Sequence, residues 1–241
     1  MTRLLALDSS TEQLSVGVVA GEARWTRVVD GGALASNRML PLALEALSAC
    51  GIGVRDLDAV AFGAGPGAFT GLRCACAVAQ GLAFGAGIPV LAVDSLMLVA
   101  QGARAWLQHC GQRALWVAMD ARMDEVYAAC YVLDGERWHV DGAPALYTLE
   151  ALAARWLARP PEAVAGSAVQ AFAGRLPFGA AITQAHIEDR AAALLELAFQ
   201  QHADGASVEA AQAMPLYLRD KVALTTAERA AARPTPGPAR G

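Results

Sequence analysis

Leu4-Leu5-Ala6-Leu7-Asp8-Ser9-Ser10-Thr11 is an apolar run that stops at an acid and a polar turn. Leu14-Ser15-Val16-Gly17-Val18-Val19-Ala20 then resumes it. Short apolar runs on either side of a polar turn predict two strands of a hairpin. Residues 23–29 (ARWTRVV), entered through Gly21, extend it to a three-strand meander. A helix is predicted at about 36–50, a strand at 57–63, a helix at about 70–86 after a Gly-rich loop, and a strand at 88–93. The second half repeats the order. Strands are predicted at about 114–119, 125–133 and 136–141, with Asp134-Gly135 turning between the last two. A helix at 148–157, a strand at 162–166, a weak helix, a short strand near 180–184 and a helix at 189–203 follow. Asp8 and Asp120 each end the first strand of their half, and Glu12 and Asp124 stand four residues further on.

A supersecondary order written twice predicts two duplicated lobes. The expected fold is α/β and actin-like (ASKHA), built from two ribonuclease-H-like lobes around a cleft. Residues 1–106 form the first lobe and 107–222 the second. Residues 223–241 carry Arg233-Pro234-Thr235-Pro236-Gly237-Pro238, which suits neither helix nor sheet, so this tail is expected to be disordered.

With 55% apolar and 17% charged residues, the 241-residue chain can bury a substantial core. Charged or turn residues interrupt every apolar run short of a membrane span, and no signal-peptide pattern opens the sequence, so a cytoplasmic protein is expected. Net charge is −4 and Lys221 is the one lysine. A protein that grips nucleic acid by itself usually shows a basic stripe, and this sequence shows none. The five cysteines lack zinc-finger spacing and are expected to be buried free thiols. The histidines, His109, His139, His186 and His202, have no ligand spacing either.

Gly63-Ala64-Gly65-Pro66-Gly67-Ala68-Phe69-Thr70-Gly71 follows a strand and opens a helix, and Asp94 ends the next strand. This is a loose dinucleotide fingerprint, but Pro66 and the three residues Phe69-Thr70-Gly71 delay the helix. A tight strand-to-helix turn with Thr70 as cap is the plainer expectation. Asp8-Ser9-Ser10-Thr11 resembles the phosphate hairpin of actin-like ATPases, where glycine usually stands at the place of Ser10. Arg122 fills the comparable place in the second half. A weak nucleotide or anion site is expected, if anywhere, at Asp8, Ser10, Thr11, Gly67 and Thr70. No catalytic residue and no metal ligand is assigned.

The two helices of the first half are apolar around most of their circumference. Arg38 and Glu45 are the only charges on one, and Arg73 and Gln80 are the polar pair on the other. Surface helices are apolar on one stripe only, so a protein–protein interface is expected. Leu40, Leu44 and Leu47 are taken as the outward strip, joined by Leu72, Cys76 and Ala79. Met39, Ala43, Ala46 and Cys50 are taken to face the sheet.

Leu5-Ala6-Leu7-Asp8-Ser9-Ser10-Thr11, Met39-Leu40-Pro41, Gly65-Pro66-Gly67-Ala68-Phe69-Thr70-Gly71-Leu72-Arg73, Gly81-Leu82-Ala83-Phe84, Gly87-Ile88-Pro89-Val90, Asp120-Ala121-Arg122 with Glu125-Val126-Tyr127, and Pro215-Leu216-Tyr217-Leu218-Arg219 resemble TsaB proteins. The resemblance runs from residue 4 to about 222. Ala35-Ser36 departs from the His-Ser often found there. The resemblance implies a non-catalytic dimerisation subunit for threonylcarbamoylation of adenosine in tRNA. Its implied partners are the transferase TsaD, a paralogue, and the ATPase TsaE, with self-pairing when alone and tRNA met only through the complex. The transferase's metal-binding histidines correspond to Ser95 and Val99, neither of which replaces an imidazole. No cofactor of its own is implied, and a nucleotide shared at the interface with TsaD stays open. The competing readings are a stand-alone actin-like ATPase or kinase and a dinucleotide-dependent oxidoreductase.

Overall fold

The computed structural model describes residues 1–187 and 189–219. The proline-rich tail and Lys221 lie outside the described residues. Strands β1 (Arg3–Asp8), β2 (Gln13–Ala20) and β3 (Ala23–Asp30) form the antiparallel meander, and β4 (Ala59–Gly65) and β5 (Val90–Asp94) extend it in parallel from β1. The order is β3-β2-β1-β4-β5. After its first residue β1 is buried on both faces, as its unbroken apolar run requires. Helices α1 (Ala35–Ala49) and α2 (Phe69–Ala86) cover one face.

The second half is built alike. Strands β6 (Ala114–Asp120), β7 (Glu125–Asp134) and β8 (Arg137–Thr148) are antiparallel, and β9 (Ala163–Ala165) and β10 (Ile182–Gln184) continue in parallel from β6. The order β10-β9-β6-β7-β8 is that of the first sheet. Helices α5 (Leu149–Ala158) and α6 (Ala168–Ala171) cover one of its faces. The duplicated actin-like α/β fold is therefore present. Strand β8 outruns the expected 136–141, because a bulge opposite Cys130 carries the pairing past Gly142 to Thr148.

Two further helices, α3 (Ser95–Gly102) and α4 (Arg104–His109), fill a segment for which no element was predicted. Asp94 caps α3 by accepting the Leu96 N–H at 2.8 Å. The acid that completed the apparent dinucleotide fingerprint is thus a helix cap.

Between the sheets lies a shared layer. Helix α3 packs on β6 and β7, while α7 (Arg190–Ala203) packs on β1 and β2 of the first sheet. Leu4, Ala6 and Leu91 meet Leu96, Val99, Leu194 and Leu195, which in turn meet Val117 and Tyr131, in one continuous core. A Cβ at Gly17 would lie 2.8 Å from Leu195 Cδ1, so glycine in mid-strand lets α7 settle close to the sheet.

The two sheets therefore share one packed layer. Residues after α7 also return to the first sheet. Val208 bridges Val90, the Gln80 side chain donates to the carbonyls of Ala210 and Ala213, and the Leu216 N–H donates to Ala64 O at 2.7 Å. Leu194→Ala should lower stability by about 2–5 kcal/mol through an unfilled cavity. Because both sheets share that layer, calorimetry should show one transition moved down as a whole. Two separated transitions would mean that the sheets fold independently.

Candidate functional site

A cleft of about 790 Å³ opens between the lobes, with Ser10, Phe69, Ser95, Met119, Arg122 and Tyr127 among its walls. Each half contributes a turn built the same way. The Ser10 N–H donates to Asp8 Oδ1 at 3.1 Å, and the Arg122 N–H donates to Asp120 Oδ1 at 2.8 Å. Each aspartate fixes the backbone two residues on, which is the local reason for an acid at both strand ends.

The first turn is occupied by the chain itself. Arg190, the first residue of α7, donates Nε to Asp8 Oδ2 at 3.0 Å and Nη2 to Ser10 Oγ at 2.9 Å. Its Nη2 also lies 2.9 Å from Asp8 Oδ2, and both side chains are buried. Ser10, where actin-like ATPases usually have glycine, supplies a ligand to this guanidinium. The Asp8 carboxylate is thus paired with a guanidinium inside the protein. The sequence analysis gives Arg190 no role; the one signal for it is an arginine immediately ahead of the apolar stretch 191–195 (AAALL).

The Gly-rich loop packs on the same turn. The Ala68 N–H donates to Ser10 O at 2.7 Å, and Ser9 Oγ donates to Gly71 O at 2.8 Å. A Cβ at Gly67 would lie 2.3 Å from Ser10 O, and one at Gly71 would lie 1.8 Å from Ser9 O. These glycines admit the protein's own hairpin where a dinucleotide loop would admit a pyrophosphate. Helix α2 starts at Phe69 with Ala68 as an uncapped N-cap, so Thr70 sits inside the first turn and is exposed. Of the five residues expected at an anion site, Ser10, Thr11 and Gly67 line the cleft, Asp8 lies buried beneath it, and Thr70 is outside.

The second turn is held differently. Arg122 reaches Asp120 at 3.4 Å and crosses to Glu12 of the first turn at 3.2 Å, in exposed pairs of small individual worth. Arg122, Met123 and Asp124 have φ of 64°, 57° and 59°. Left-handed backbone costs a non-glycine residue roughly 1–2 kcal/mol. Asp124 pairs with Arg175 at 2.8 Å, which holds its carboxyl below the usual range.

Neither Ser95 nor Val99 faces a metal cluster, and the described residues contain no group of three or more His, Cys, Asp or Glu placed to hold an ion. Ser95 Oγ accepts the Gly65 N–H at 3.0 Å, and Val99 is buried in the shared core. The thiols depart from expectation: Cys76 and Cys130 are buried, Cys50 and Cys74 are half-buried, and Cys110 is exposed. Burial raises the Cys50, Cys74 and Cys76 thiols and pushes Cys130 up to about 11.

On the outer face, Met39, Ala43 and Ala46 lie in the core, while Leu40 and Leu44 are 42% and 47% exposed. Leu47 corrects the expected strip. At about 100° per residue it lies some 60° round from Leu44, within the buried arc. Leu72, Cys76 and Ala79 are likewise buried, forming the inner stripe of α2. The face of α2 that does reach solvent carries Ala77, Gly81 and the 78% exposed Phe84. The charged groups of these helices are engaged. Glu45 pairs with Arg27 at 2.7 Å, Arg38 donates to Asp30 O, and Arg73 stacks 3.9 Å over Phe69. Leu40, Pro41 and Leu44 are left as an uncovered apolar strip.

The family described as TsaD, tRNA N6-adenosine threonylcarbamoyltransferase, matches residues 34–178. The chain is 36% identical to the Escherichia coli (strain K12) tRNA threonylcarbamoyladenosine biosynthesis protein TsaB over 238 residues, covering 92% of this chain and 96% of that protein. The Haemophilus influenzae protein of the same name is 43% identical over 125 residues, about half of each chain. The solved structure of YeaZ from Pseudomonas aeruginosa superposes with a TM-score of 0.80 at 39% identity, covering 90% of this chain and 100% of that one. No helix among the described residues is long and apolar enough to cross a membrane.

Beside the cleft, Tyr131 of β7 donates its hydroxyl to Asp94 Oδ2 at 2.7 Å, linking the sheets. Burial is the largest influence on both groups and raises both pKa values. The folded chain therefore holds the Asp94 proton more tightly than the unfolded chain does. That contribution to stability is complete below the ordinary carboxylate range, near pH 4, and is lost as pH rises through the folded value. Asp94→Asn removes the titration. The stability of the parent minus that of the variant should fall as pH rises from about 4, then level off. Denaturant midpoints across that range check this, and a flat difference would contradict it.

Proposed function

The chain belongs to the TsaB family, and from that premise we propose that it is a non-catalytic scaffold and dimerisation subunit. It pairs with the TsaD transferase, joined by the TsaE ATPase, in the threonylcarbamoylation of adenosine in tRNA. The observation that carries the non-catalytic reading is the Arg190–Asp8–Ser10 cluster, which engages the one buried carboxylate of the first turn inside the protein. Ser95 adds support, being a hydrogen-bonding partner of the loop backbone where a metal-binding histidine would be needed. We place the protein in the cytoplasm, and assign it no cofactor of its own. A nucleotide shared across a joint interface would have to draw its phosphate ligands mainly from TsaD.

The partner surface is the exposed strip of α1 with the outer face of α2. Leu40, Pro41 and Leu44 offer an apolar ridge, and Ala77 and Gly81 let a facing helix come close. The same patch can meet a second copy, because a self-complementary face satisfies two-fold symmetry. A stand-alone ATPase or kinase has no observation in its favour. Contact with tRNA is assigned to the complex, since the sequence carries no basic stripe.

Reconstitution tests this. The isolated chain, given tRNA and an activated threonylcarbamoyl donor, should show no turnover, and TsaD with TsaE should show turnover that depends on the chain. Leu44→Arg should leave the thermal melt unchanged, since Leu44 is 47% exposed. It should weaken both self-association and TsaD binding by about a hundredfold, the equivalent of about 3 kcal/mol for a charge buried unpaired. Turnover by the chain alone would reject the non-catalytic reading. Unchanged association of the folded variant would move the interface elsewhere.

A further inference from the structure

The Pro215–Arg219 segment has a place in the fold that the accessory role does not explain. Its start lies on the first lobe. The Leu216 N–H donates to Ala64 O at the end of β4, and the Tyr217 ring packs 5.2 Å from that of Phe69. Tyr217 also accepts the Arg73 Nε–H at 3.0 Å. Its end lies on the second lobe. Arg219 Nη2 donates to Ala121 O at 3.0 Å and Arg122 O at 3.3 Å, and pairs with Glu125 Oε2 at 2.5 Å. Between the two ends, Leu216, Tyr217 and Leu218 form one wall of the cleft.

The turn that Arg219 grips is the one with three successive left-handed residues. A strained turn persists only where its surroundings over-determine it. Here one guanidinium nitrogen, Nη2, lies within hydrogen-bonding reach of two carbonyls and a carboxylate of that turn and shares its two hydrogens among them. The first turn has the corresponding arrangement. Arg190 follows β10 of the second sheet by six residues and grips Asp8 and Ser10. Each turn is thus held by an arginine distant in sequence: Arg219 on a segment anchored to the opposite sheet, and Arg190 on the helix that follows β10 and lies on the first sheet.

We propose that Pro215–Arg219 is an interlobe latch. Arg219 holds the second turn from an anchor on the first sheet, as Arg190 holds the first turn from the helix after β10. Together they fix the angle between the sheets, so the cleft is a pocket of constant shape and not a jaw that closes on a ligand. This inference concerns the chain alone and does not depend on the accessory role, so its failure would leave that role standing.

The test is hydrogen exchange and small-angle scattering on the full chain. Arg219→Ala is the variant of choice, because it leaves the buried Arg190–Asp8 pair intact where Arg190→Ala endangers folding. The Ala121 N–H donates to Glu125 O at 2.9 Å, and the Glu125 N–H to Arg122 O at 3.1 Å, so these two amides report on the turn. In Arg219→Ala they should exchange about tenfold or more faster, with the Leu216 amide, while the amides of α1 and α2 hold their rates. The radius of gyration should increase. Arg219→Lys should recover part of the protection, since its ammonium keeps the charge that pairs with Glu125 but sits on a shorter, more flexible side chain. Methylguanidinium at millimolar concentration should recover more of it in Arg219→Ala. Unchanged exchange at Ala121 and Glu125 would overturn the latch, as would an equal rise at every amide. A local rise at the turn without any change in radius would overturn the fixed angle.

Discussion

The buried ion pair between Arg190 and Asp8 is the constraint around which this molecule is arranged. Two charges removed from water cost several kcal/mol each unless they meet one another and their remaining donors and acceptors are also satisfied. Arg190 meets that demand with Asp8 and Ser10, and Asp8 also accepts the backbone of Ser10. The geometry is available only if α7 leaves its own lobe and lies on the first sheet. Gly17 makes room for Leu195 there, and the shared core of α3 and α7 follows. The hairpin so pinned becomes the surface on which Gly67 and Gly71 rest, and α2 starts from that loop. The position of the outward helix face is in this sense set from the floor of the cleft.

Much of the fold was legible because its signals are local. The run Leu4–Leu7, the turn at Asp134-Gly135 and the repeated acid at Asp8 and Asp120 each specify their element within a few residues. Helix α3 was missed because its cap, Asp94, also fits the end of a dinucleotide fingerprint, and its apolar run carries no amphipathic period. The crossing of α7 could not be read, since Arg190 and Asp8 are 182 residues apart and nothing local marks them as partners. The glycine loop reads first as a tight strand-to-helix turn and second as an approach for a ligand. Sequence shows that a backbone must come close there, but not that the visitor is residues 9–10 of the same chain.

The outward strip was legible in part for a related reason. Helical spacing places Leu40, Leu44 and Leu47 near one another, but it does not set how wide the buried arc is. The sheet and α2 claim Leu47, and the inner stripe of α2 claims Leu72, Cys76 and Ala79. What remains is a narrower patch with Leu40 and Leu44 at its centre and the small residues of α2 beside it. The two substitutions that looked like losses, Ser10 and Arg122, each make contacts within the chain. Together they describe a duplicated fold whose two strand-end turns are held by the protein's own side chains, with an exposed apolar helix face on its outside.

That occupation of the turns from within is the central claim, and calorimetry tests it most directly. The isolated full-length chain would be titrated with magnesium ATP to millimolar concentration. With Asp8 paired with Arg190 and both glycine places filled by side chains, the account predicts no saturable heat. A one-to-one complex of micromolar affinity would mean that Arg190 yields to a nucleotide, and would contradict it.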